Sequence, residues 1–253
     1  MSISFDRAVG YYDQTRSLPD EQMEELVSRL LEQLPGDGVC LEIGVGTGRI
    51  ALPLMDRGID VVGVDISPEM LGRLVAKRAT CKVAVADATR LPFADGTFTA
   101  AVAAHVLHLI PAWTAALDEL MRVVVGGGVI LASRAGGSTS DWQKAVRRQF
   151  FIEAGDPPWP PGVDTIDQLD GEMRSRGALV RKIDDVQSED EHTISQLLDA
   201  LEKGIWAACW SIDEETRRRA VAATREWAKA ELGDLDLPRP SVYGSDWRAY
   251  LLP

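Results

Sequence analysis

Five short apolar segments constrain the fold of this chain more than any other feature. They are VCLEI (39–43), VVGVD (61–65), KVAVA (82–86), FTAAVAA (98–104) and VILAS (129–133). None shows the clean alternation of a strand with one solvated face, and this is typical of strands buried on both faces. Helical patterns at 68–79, with Ser67 as its cap, and at 111–124 separate several of them. Such strand–helix alternation predicts a parallel sheet wound by right-handed crossovers.

Further elements flank this core. Helices are predicted at 17–34 with Ser17 as its cap, 140–154, 164–176, 193–210, and 212–232 with a capping box at Ser211 and Glu214. The segment GDPPWPPG (155–162) predicts a linker, because its prolines and glycines fit neither a helix nor a central strand. Strand-like runs at 178–188 and 241–251 would be strand six and a reversed strand seven. We therefore expect a Rossmann-like, seven-stranded, mostly parallel sheet with helices on both faces and an added helical cap.

This fold divides the chain into four expected regions. They are an N-terminal helical segment that closes over a cofactor (1–35), a Rossmann-like binding core (36–135), cap helices together with strand six (136–235), and the final strand (236–253). Helices that follow strands five and six start from the carboxyl edge of the sheet. Because ligands of open α/β sheets bind at that edge, we expect the cap to overhang the cofactor.

The charge balance limits the partners. The 27 basic and 39 acidic residues give a net charge of −12, so neither nucleic acid nor an anionic membrane surface is an expected partner. Three widely spaced cysteines, without a CxxC pair, predict neither a disulfide framework nor a zinc site. No signal-peptide core and no apolar run of bilayer length is visible. These features together favour a cytoplasmic protein.

The stretch LEIGVGTGRI (41–50) joins the first strand to a helix through a glycine-rich loop, with Glu42 in the strand before it. Its GxGxG spacing differs from the dinucleotide fingerprint GxGxxG, whose third glycine would fall at Arg49. A glycine-rich loop alone does not exclude NAD. The buried acid Glu42 needs a cation or several hydrogen-bond donors.

Two more acids end the next strands. Asp65 follows Gly44 by 21 residues, where a carboxylate can accept both hydroxyls of a ribose. Asp87 ends the third strand, where it can accept from the exocyclic amine of adenine. Carboxylates placed for an amine, a ribose and an adenine, without a phosphate clamp, favour an adenosine with a cationic, amine-bearing tail. S-adenosylmethionine fits this description.

The motifs ExGxGxG, GVDIS and DA, in this order, resemble those of the class I S-adenosylmethionine-dependent methyltransferases. The later segments LPFADGTFTAAVAAHVLHLI and GGGVILAS resemble the small-molecule branch typified by the ubiquinone/menaquinone-biosynthesis methyltransferases. The resemblance covers residues 5 to 134. It implies S-adenosylmethionine as cofactor, S-adenosylhomocysteine as product, and a small-molecule methyl acceptor.

The resemblance also assigns roles by position. The loop glycines and Glu42 would surround the methionine end, Asp65 would bind the ribose, Ile66 and the Ala88 N–H would meet adenine, and Asp87 would accept from its amine. The His105 backbone would lie at the methionine end. In AVGYYDQTR, the tyrosine that closes over the cofactor would be Tyr12, with Tyr11 as the alternative. The implied cofactor residues are Tyr12, Arg16, Glu42, Gly44, Gly46, Gly48, Asp65, Ile66, Asp87, Ala88 and His105.

Two residue groups keep two interpretations each. His108 follows strand four, so it is either a general base or a packing or helix-capping residue. His105 and His108 together would give a metal ion only two ligands, so we expect no metal site. Six of the seven tryptophans lie beyond residue 140, and Trp206 and Trp210 would share one helix face. They pack the core of the second half or line an acceptor pocket.

The expected reaction is in-line methyl transfer to an O, N, S or C nucleophile of a small molecule, with His108 as the base where the acceptor must lose a proton. Two alternatives remain at this point. One is a nucleotide-dependent oxidoreductase, and the other is an adenosine-cofactor-binding protein without transfer activity.

Overall fold

The computed structural model describes residues 3–16, 18–134, 137–138, 140–158, 161–244 and 246–253. The chain forms two compact units. Unit 1 consists of residues 1–136, 161–186 and 245–253, and unit 2 consists of residues 137–160 and 187–244. Within the part of the chain that is described, no helix combines the length and apolar character that crossing a bilayer requires.

The elements follow the chain in two series. The strands are β1 Val39–Ile43, β2 Asp60–Asp65, β3 Lys82–Val85, β4 Phe98–Ala104, β5 Val124–Ser133, β6 Gly137–Ser138, β7 Leu179–Ile183, β8 Gln187–His192, β9 Arg239–Gly244 and β10 Trp247–Leu251. The α-helices are α1 Tyr12–Arg16, α2 Asp20–Leu31, α3 Ala51–Asp56, α4 Pro68–Lys77, α5 Trp113–Val123, α6 Asp141–Glu153, α7 Ile166–Ser175, α8 Ile194–Lys203 and α9 Glu214–Leu232.

Unit 1 is built on a seven-stranded sheet in the order β3-β2-β1-β4-β5-β10-β7. Neighbours from β3 to β5 pair in parallel, and β10 runs antiparallel to both β5 and β7. The expected Rossmann-like, seven-stranded, mostly parallel sheet with a reversed last strand is confirmed. β1 and β4 have the bounds that the apolar runs predicted.

Helices cover both faces of this sheet. In β1, Leu41 and Ile43 belong to one apolar cluster while Cys40 belongs to another, because successive residues of a strand point to opposite faces. α5 and α7 add Leu117 and Leu169 to the first cluster, and α2, α3 and α4 contribute to the second. Burial on both faces explains why the strands read as continuous apolar runs.

Unit 2 consists of α6, α8 and α9 together with a three-stranded antiparallel sheet in the order β6-β9-β8. The helices share a core of buried apolar residues that includes Val146, Phe150, Leu198 and Ala220. Trp206 and Trp227 are partly buried and pack against this core.

The predicted helix caps have mixed outcomes. Ser67 caps α4 as expected: its Oγ accepts from the Met70 N–H at 3.1 Å. The capping box at Ser211 is wrong, because α9 begins two residues further along than expected. Asp213 is the cap there, and its Oδ1 accepts from the Thr216 N–H at 2.9 Å. Ser17, the predicted cap of the first long helix, lies outside the described residues, and that helix begins at Asp20.

Three other predicted elements have different bounds. The helix expected over 193–210 ends at Lys203, because Gly204 adopts a left-handed conformation, so Trp206 and Trp210 flank a short 3-10 turn instead of sharing a helix face. The run 178–188 contains β7 of unit 1 and β8 of unit 2, and the tail 241–251 contains β9 and β10. Neither run has a break in composition that marks the boundary between the units. Trp159 lies outside the described residues.

Candidate functional site

The loops that follow β1, β2, β3 and β4 meet at the carboxyl edge of the sheet, where they line an open pocket. Parallel strands place their carboxyl ends at one edge, and this explains why segments far apart in sequence meet there. Eight of the predicted site residues line it: Tyr12, Gly44, Gly46, Asp65, Ile66, Asp87, Ala88 and His105.

Glycine is required in the loop after β1. Gly44 has a φ of +64°, and a Cβ there would lie 2.4 Å from Cγ2 of Val106. Gly48 has a φ of +85°, and its Cβ would lie 2.5 Å from Cδ1 of Leu74 in α4. Gly44 lines the pocket, whereas Gly48 is not among the lining residues. The third glycine thus serves close packing of the loop against α4.

Asp65 joins the loop to the end of β2. Its Oδ2 accepts from the Gly46 N–H at 2.8 Å, and its Oδ1 accepts from the Ser67 N–H at 2.9 Å. Burial raises the pKa of this carboxyl, and these N–H donors oppose that rise. Two backbone hydrogen bonds therefore fix the carboxylate, while each oxygen keeps a further lone pair for a ligand hydroxyl.

Asp87 and Ala88 form the wall that follows β3. Oδ1 of Asp87 accepts from the N–H and from the hydroxyl of Thr89, at 2.9 and 2.8 Å. Within the described part of the chain, Oδ2 has no hydrogen bond of its own. The turn thus orients the carboxylate and leaves one oxygen free to accept from a ligand amine.

Tyr12 lines the pocket together with two apolar residues of the N-terminal segment, Ile3 and Phe5. The Phe5 and Tyr12 rings meet edge to face with centroids 5.8 Å apart, and the Ile3 N–H donates to the Leu109 carbonyl at 3.2 Å. The alternative tyrosine, Tyr11, is not among the lining residues. The backbone of Arg16 ends α1, and its side chain lies outside the described structure.

A polar cluster connects this N-terminal segment to the glycine loop. Oδ1 of Asp13 accepts from the hydroxyl of the buried Thr47 at 2.5 Å, and Oδ2 lies 2.8 Å from Nζ of Lys77. Lys77 also donates to the Thr47 carbonyl at 2.9 Å. Burial would raise the pKa of Asp13, but Lys77 and Thr47 outweigh it and lower that pKa. We call these three residues the Asp13 tether.

Glu42 is placed differently from its expected position. The side chain is buried, with 2% of the residue exposed, and it is not among the pocket-lining residues. Burial raises its pKa to about 8, against the opposing charge of Arg49 and the N–H of Ala51. Its Oε2 has no hydrogen-bond partner among the described residues. Glu42 therefore lies beneath the glycine loop, next to the start of α3.

The two histidines after β4 have different positions. His105 lines the pocket with a φ of +52°, a conformation that is rare outside glycine, and its N–H donates to the Ser133 carbonyl at 3.0 Å. His108 lies in a 3-10 turn and is not among the lining residues. Its carbonyl accepts from the Gly162 N–H at 3.0 Å. The structure therefore brings His105, and not His108, to the pocket.

Sequence reasoning missed the apolar part of the pocket wall. These residues are Ile3, Phe5, Val64, Met70, Ala86, Ala104, Val106, Leu109 and Ile110. Ala104 ends β4, and Ala86 and Val106 lie within two residues after β3 and β4, so for these three the position along the strands was the available signal. The pocket combines the carboxylates of Asp65 and Asp87 with apolar walls. This combination suits a nucleoside, whose base is flat and apolar and whose ribose carries hydroxyls.

Sequence comparison identifies the kind of domain that holds this pocket. A family model described as a methyltransferase domain matches residues 41–132. A demethylmenaquinone methyltransferase of Beutenbergia cavernae is 34% identical over 161 residues, which cover 62% of this chain and 59% of that protein. The chain therefore spans less than two thirds of that relative's length.

Solved structures share the fold. The YcgJ protein of Bacillus subtilis aligns with a TM-score of 0.63 at 13% identity and covers 92% of this chain and 99% of its own. Phosphoethanolamine N-methyltransferase 2 of Haemonchus contortus, solved with phosphomonomethylethanolamine and S-adenosylhomocysteine, aligns with a TM-score of 0.59 at 16% identity, covering 98% of this chain and 57% of its own. Residues 41–132 of the chain are thus similar to a methyltransferase domain, and the chain shares its fold with solved methyltransferases.

Proposed function

We propose that unit 1 binds S-adenosylmethionine in the pocket at the carboxyl edge of its sheet, and that the protein methylates an O, N, S or C atom of a small molecule. The observation that carries this proposal is the convergence of Asp65, Asp87 and the Gly44–Gly46 loop on one pocket. The net charge of −12 supports an acceptor other than nucleic acid or an anionic membrane.

Each lining residue has a role that its position supports. Asp65 accepts from the ribose hydroxyls, Oδ2 of Asp87 accepts from the adenine amine, and the Ala88 N–H donates to the base. Ile66 contacts the face of adenine. The backbone of Gly44 and His105 surrounds the methionine end, and Tyr12 closes the pocket. Arg16 is assigned to the same site by the resemblance alone.

S-adenosylmethionine would supply a methyl group already activated by its sulfonium charge. The chain then contributes mainly alignment and the exclusion of water, effects that reach roughly 7–11 kcal/mol in the best cases. Leu109, Ile110 and Phe5 give the pocket an apolar wall suited to excluding water. Glu42 positions the loop from beneath and thereby supports the methionine end.

The cofactor assignment has a direct test. S-adenosylhomocysteine should raise the melting temperature of the protein in proportion to the logarithm of its concentration, because it binds only the folded state. NAD and NADP should leave the melting temperature unchanged, and this separates the methyltransferase from an oxidoreductase. A larger shift with NAD than with S-adenosylhomocysteine contradicts the proposal. A screen of acceptors with a radiolabelled methyl donor separates an enzyme from a protein that only binds the cofactor.

The role of His108 is tested by His108→Gln. Because His108 is not among the pocket-lining residues and its carbonyl joins the segment at Gly162, we expect a lower melting temperature and turnover within a few-fold of wild type. Turnover is measured per folded molecule on an acceptor that must lose a proton. A fall of about 10²–10⁴-fold that high pH partly relieves would instead make His108 the general base.

The Asp13 tether should contribute to cofactor affinity. In Asp13→Ala the N-terminal segment loses one hydrogen bond and one half-exposed ion pair, so we expect affinity for S-adenosylhomocysteine to fall about 3- to 10-fold. Amide hydrogen exchange in residues 3–16 should become faster. Gln14→Ala, an exposed change in the same helix, is the matched control. Equal affinity and exchange in the two variants would show that the tether is dispensable.

A further inference from the structure

Unit 2 contains a polar cluster where α6 meets β9. Gln143 and Arg147 are four residues apart on α6 and therefore share a helix face. The Nε2 atom of the buried Gln143 lies 2.9 Å from Oγ of Ser241 and 3.0 Å from the Tyr243 hydroxyl oxygen, both on β9. The guanidinium carbon of Arg147 lies 4.4 Å from the centroid of the Trp206 ring.

Arg147 has no carboxylate partner within the described part of the chain. Its Nε atom is buried and makes no hydrogen bond there. Burial lowers the pKa of this guanidinium, and only Tyr243 and Cys209 oppose the effect. A desolvated charge normally requires a partner, and stacking on Trp206 satisfies none of the N–H donors.

Two more polar atoms of the same cluster lack partners among the described residues. They are Oε1 of Gln143, which accepts hydrogen bonds, and Nδ1 of His192, which accepts or donates according to its tautomer. The His192 ring meets the Tyr243 ring edge to face, with centroids 5.8 Å apart. Unit 2 thus brings together an uncompensated guanidinium, an amide oxygen and an imidazole nitrogen.

We propose that these residues (Gln143, Arg147, His192, Trp206 and Tyr243, the Arg147 site) bind a small organic acid through its carboxylate. The planar guanidinium pairs with a carboxylate through two parallel N–H donors, of which Nε–H is one. Oε1 of Gln143 accepts from a hydroxyl or amino group of the same molecule. Arg147 is the one cation in the Arg147 site, and this charge matches a carboxylate better than a doubly charged phosphate. The proposal concerns unit 2 alone and is independent of cofactor binding by unit 1.

The test uses the full chain and calorimetry with 4-hydroxybenzoate and 4-aminobenzoate as probes. The uncharged 4-hydroxybenzamide is the matched ligand control, and Arg148→Met is the matched protein control because Arg148 is an exposed neighbour on the same helix. We expect at least one acid to bind wild type and Arg148→Met alike. Binding should fall at least about tenfold in Arg147→Met and with the amide probe.

Melting temperatures show whether a loss of binding in Arg147→Met comes from lost packing instead of the lost charge. Arg147→Met should melt no lower than wild type, because it removes an unpaired, desolvated charge and keeps an apolar stem. Gln143→Glu places a carboxylate one helical turn from Arg147, so it should raise the melting temperature and abolish binding of the acids. Equal binding of acid and amide, equal affinity in Arg147→Met and Arg148→Met, or no binding of either acid at millimolar concentration overturns the proposal.

Discussion

Asp65→Asn should weaken the binding of S-adenosylhomocysteine at least about 100-fold. Two hydrogen bonds from ribose hydroxyls to a carboxylate contribute roughly 1.5–3 kcal/mol each, and about 1.4 kcal/mol corresponds to a factor of ten. An amide also cannot accept through both of its terminal atoms, so it loses the bond from either the Gly46 or the Ser67 N–H. Calorimetry on the purified variant measures the effect.

The control for this experiment lies at the other end of the same strand. Asp60 begins β2, and its carboxylate pairs with the exposed Lys82 at 2.7 Å. Asp60→Asn removes the same charge outside the cofactor pocket, so its affinity for S-adenosylhomocysteine should equal that of wild type. If Asp65→Asn also binds like wild type, Asp65 does not contact the ribose and the assignment of the pocket fails.

Glu42→Gln should make the protein more stable at alkaline pH. The pKa of Glu42 is raised from 4.5 to about 8 in the folded state, so the folded protein holds a proton that the unfolded chain releases. Wild-type stability therefore falls as pH rises from 4.5 to about 8 and then stays at the lower value. Glutamine resembles the protonated acid and has no such dependence. The variant should gain at most about 5 kcal/mol above pH 8 and little near pH 4.5.

Denaturant unfolding of wild type and variant at several pH values measures this difference. Glu32→Gln, at an exposed position after α2, is the matched control and should show no comparable pH-dependent gain. A Glu42→Gln gain that is constant over this range would mean that Glu42 is already ionised in the folded protein. In that case Arg49 and the Ala51 N–H compensate the charge.

Those parts of the fold that depend on local pattern could be predicted from sequence. β1 and β4 are buried on both faces, so their apolar runs coincide with their bounds. β5 starts at Val124, five residues before its apolar run, because Gly126–Gly128 resemble a turn while the chain there already belongs to the strand. The units alternate along the chain without any compositional signal, so the runs 178–188 and 241–251 each predict one strand where the structure has two.

The same distinction applies to the site. Asp65 ends β2 and Asp87 follows β3 by two residues, so topology alone brings them to one edge of the sheet. The position of Glu42 depends on which way its side chain points within β1, and a strand buried on both faces gives no alternation from which to infer it. Ile3 and Phe5 lie in a segment without periodicity. The unpaired state of Arg147 is a property of three-dimensional neighbours that sequence does not record.

The position of β10 in the sheet has a consequence for the order of folding. β10 pairs with both β5 and β7. In the first of these pairings Trp247 lies opposite Ser133, about a hundred residues earlier in the chain. Contacts of such long sequence separation form slowly, because the intervening chain must first be brought into place. During synthesis β7 has no neighbour in its sheet until residues 247–251 have emerged. The nascent chain therefore carries an unpaired strand until residues 247–251 have been synthesised, and an unpaired strand is a site where incomplete chains aggregate.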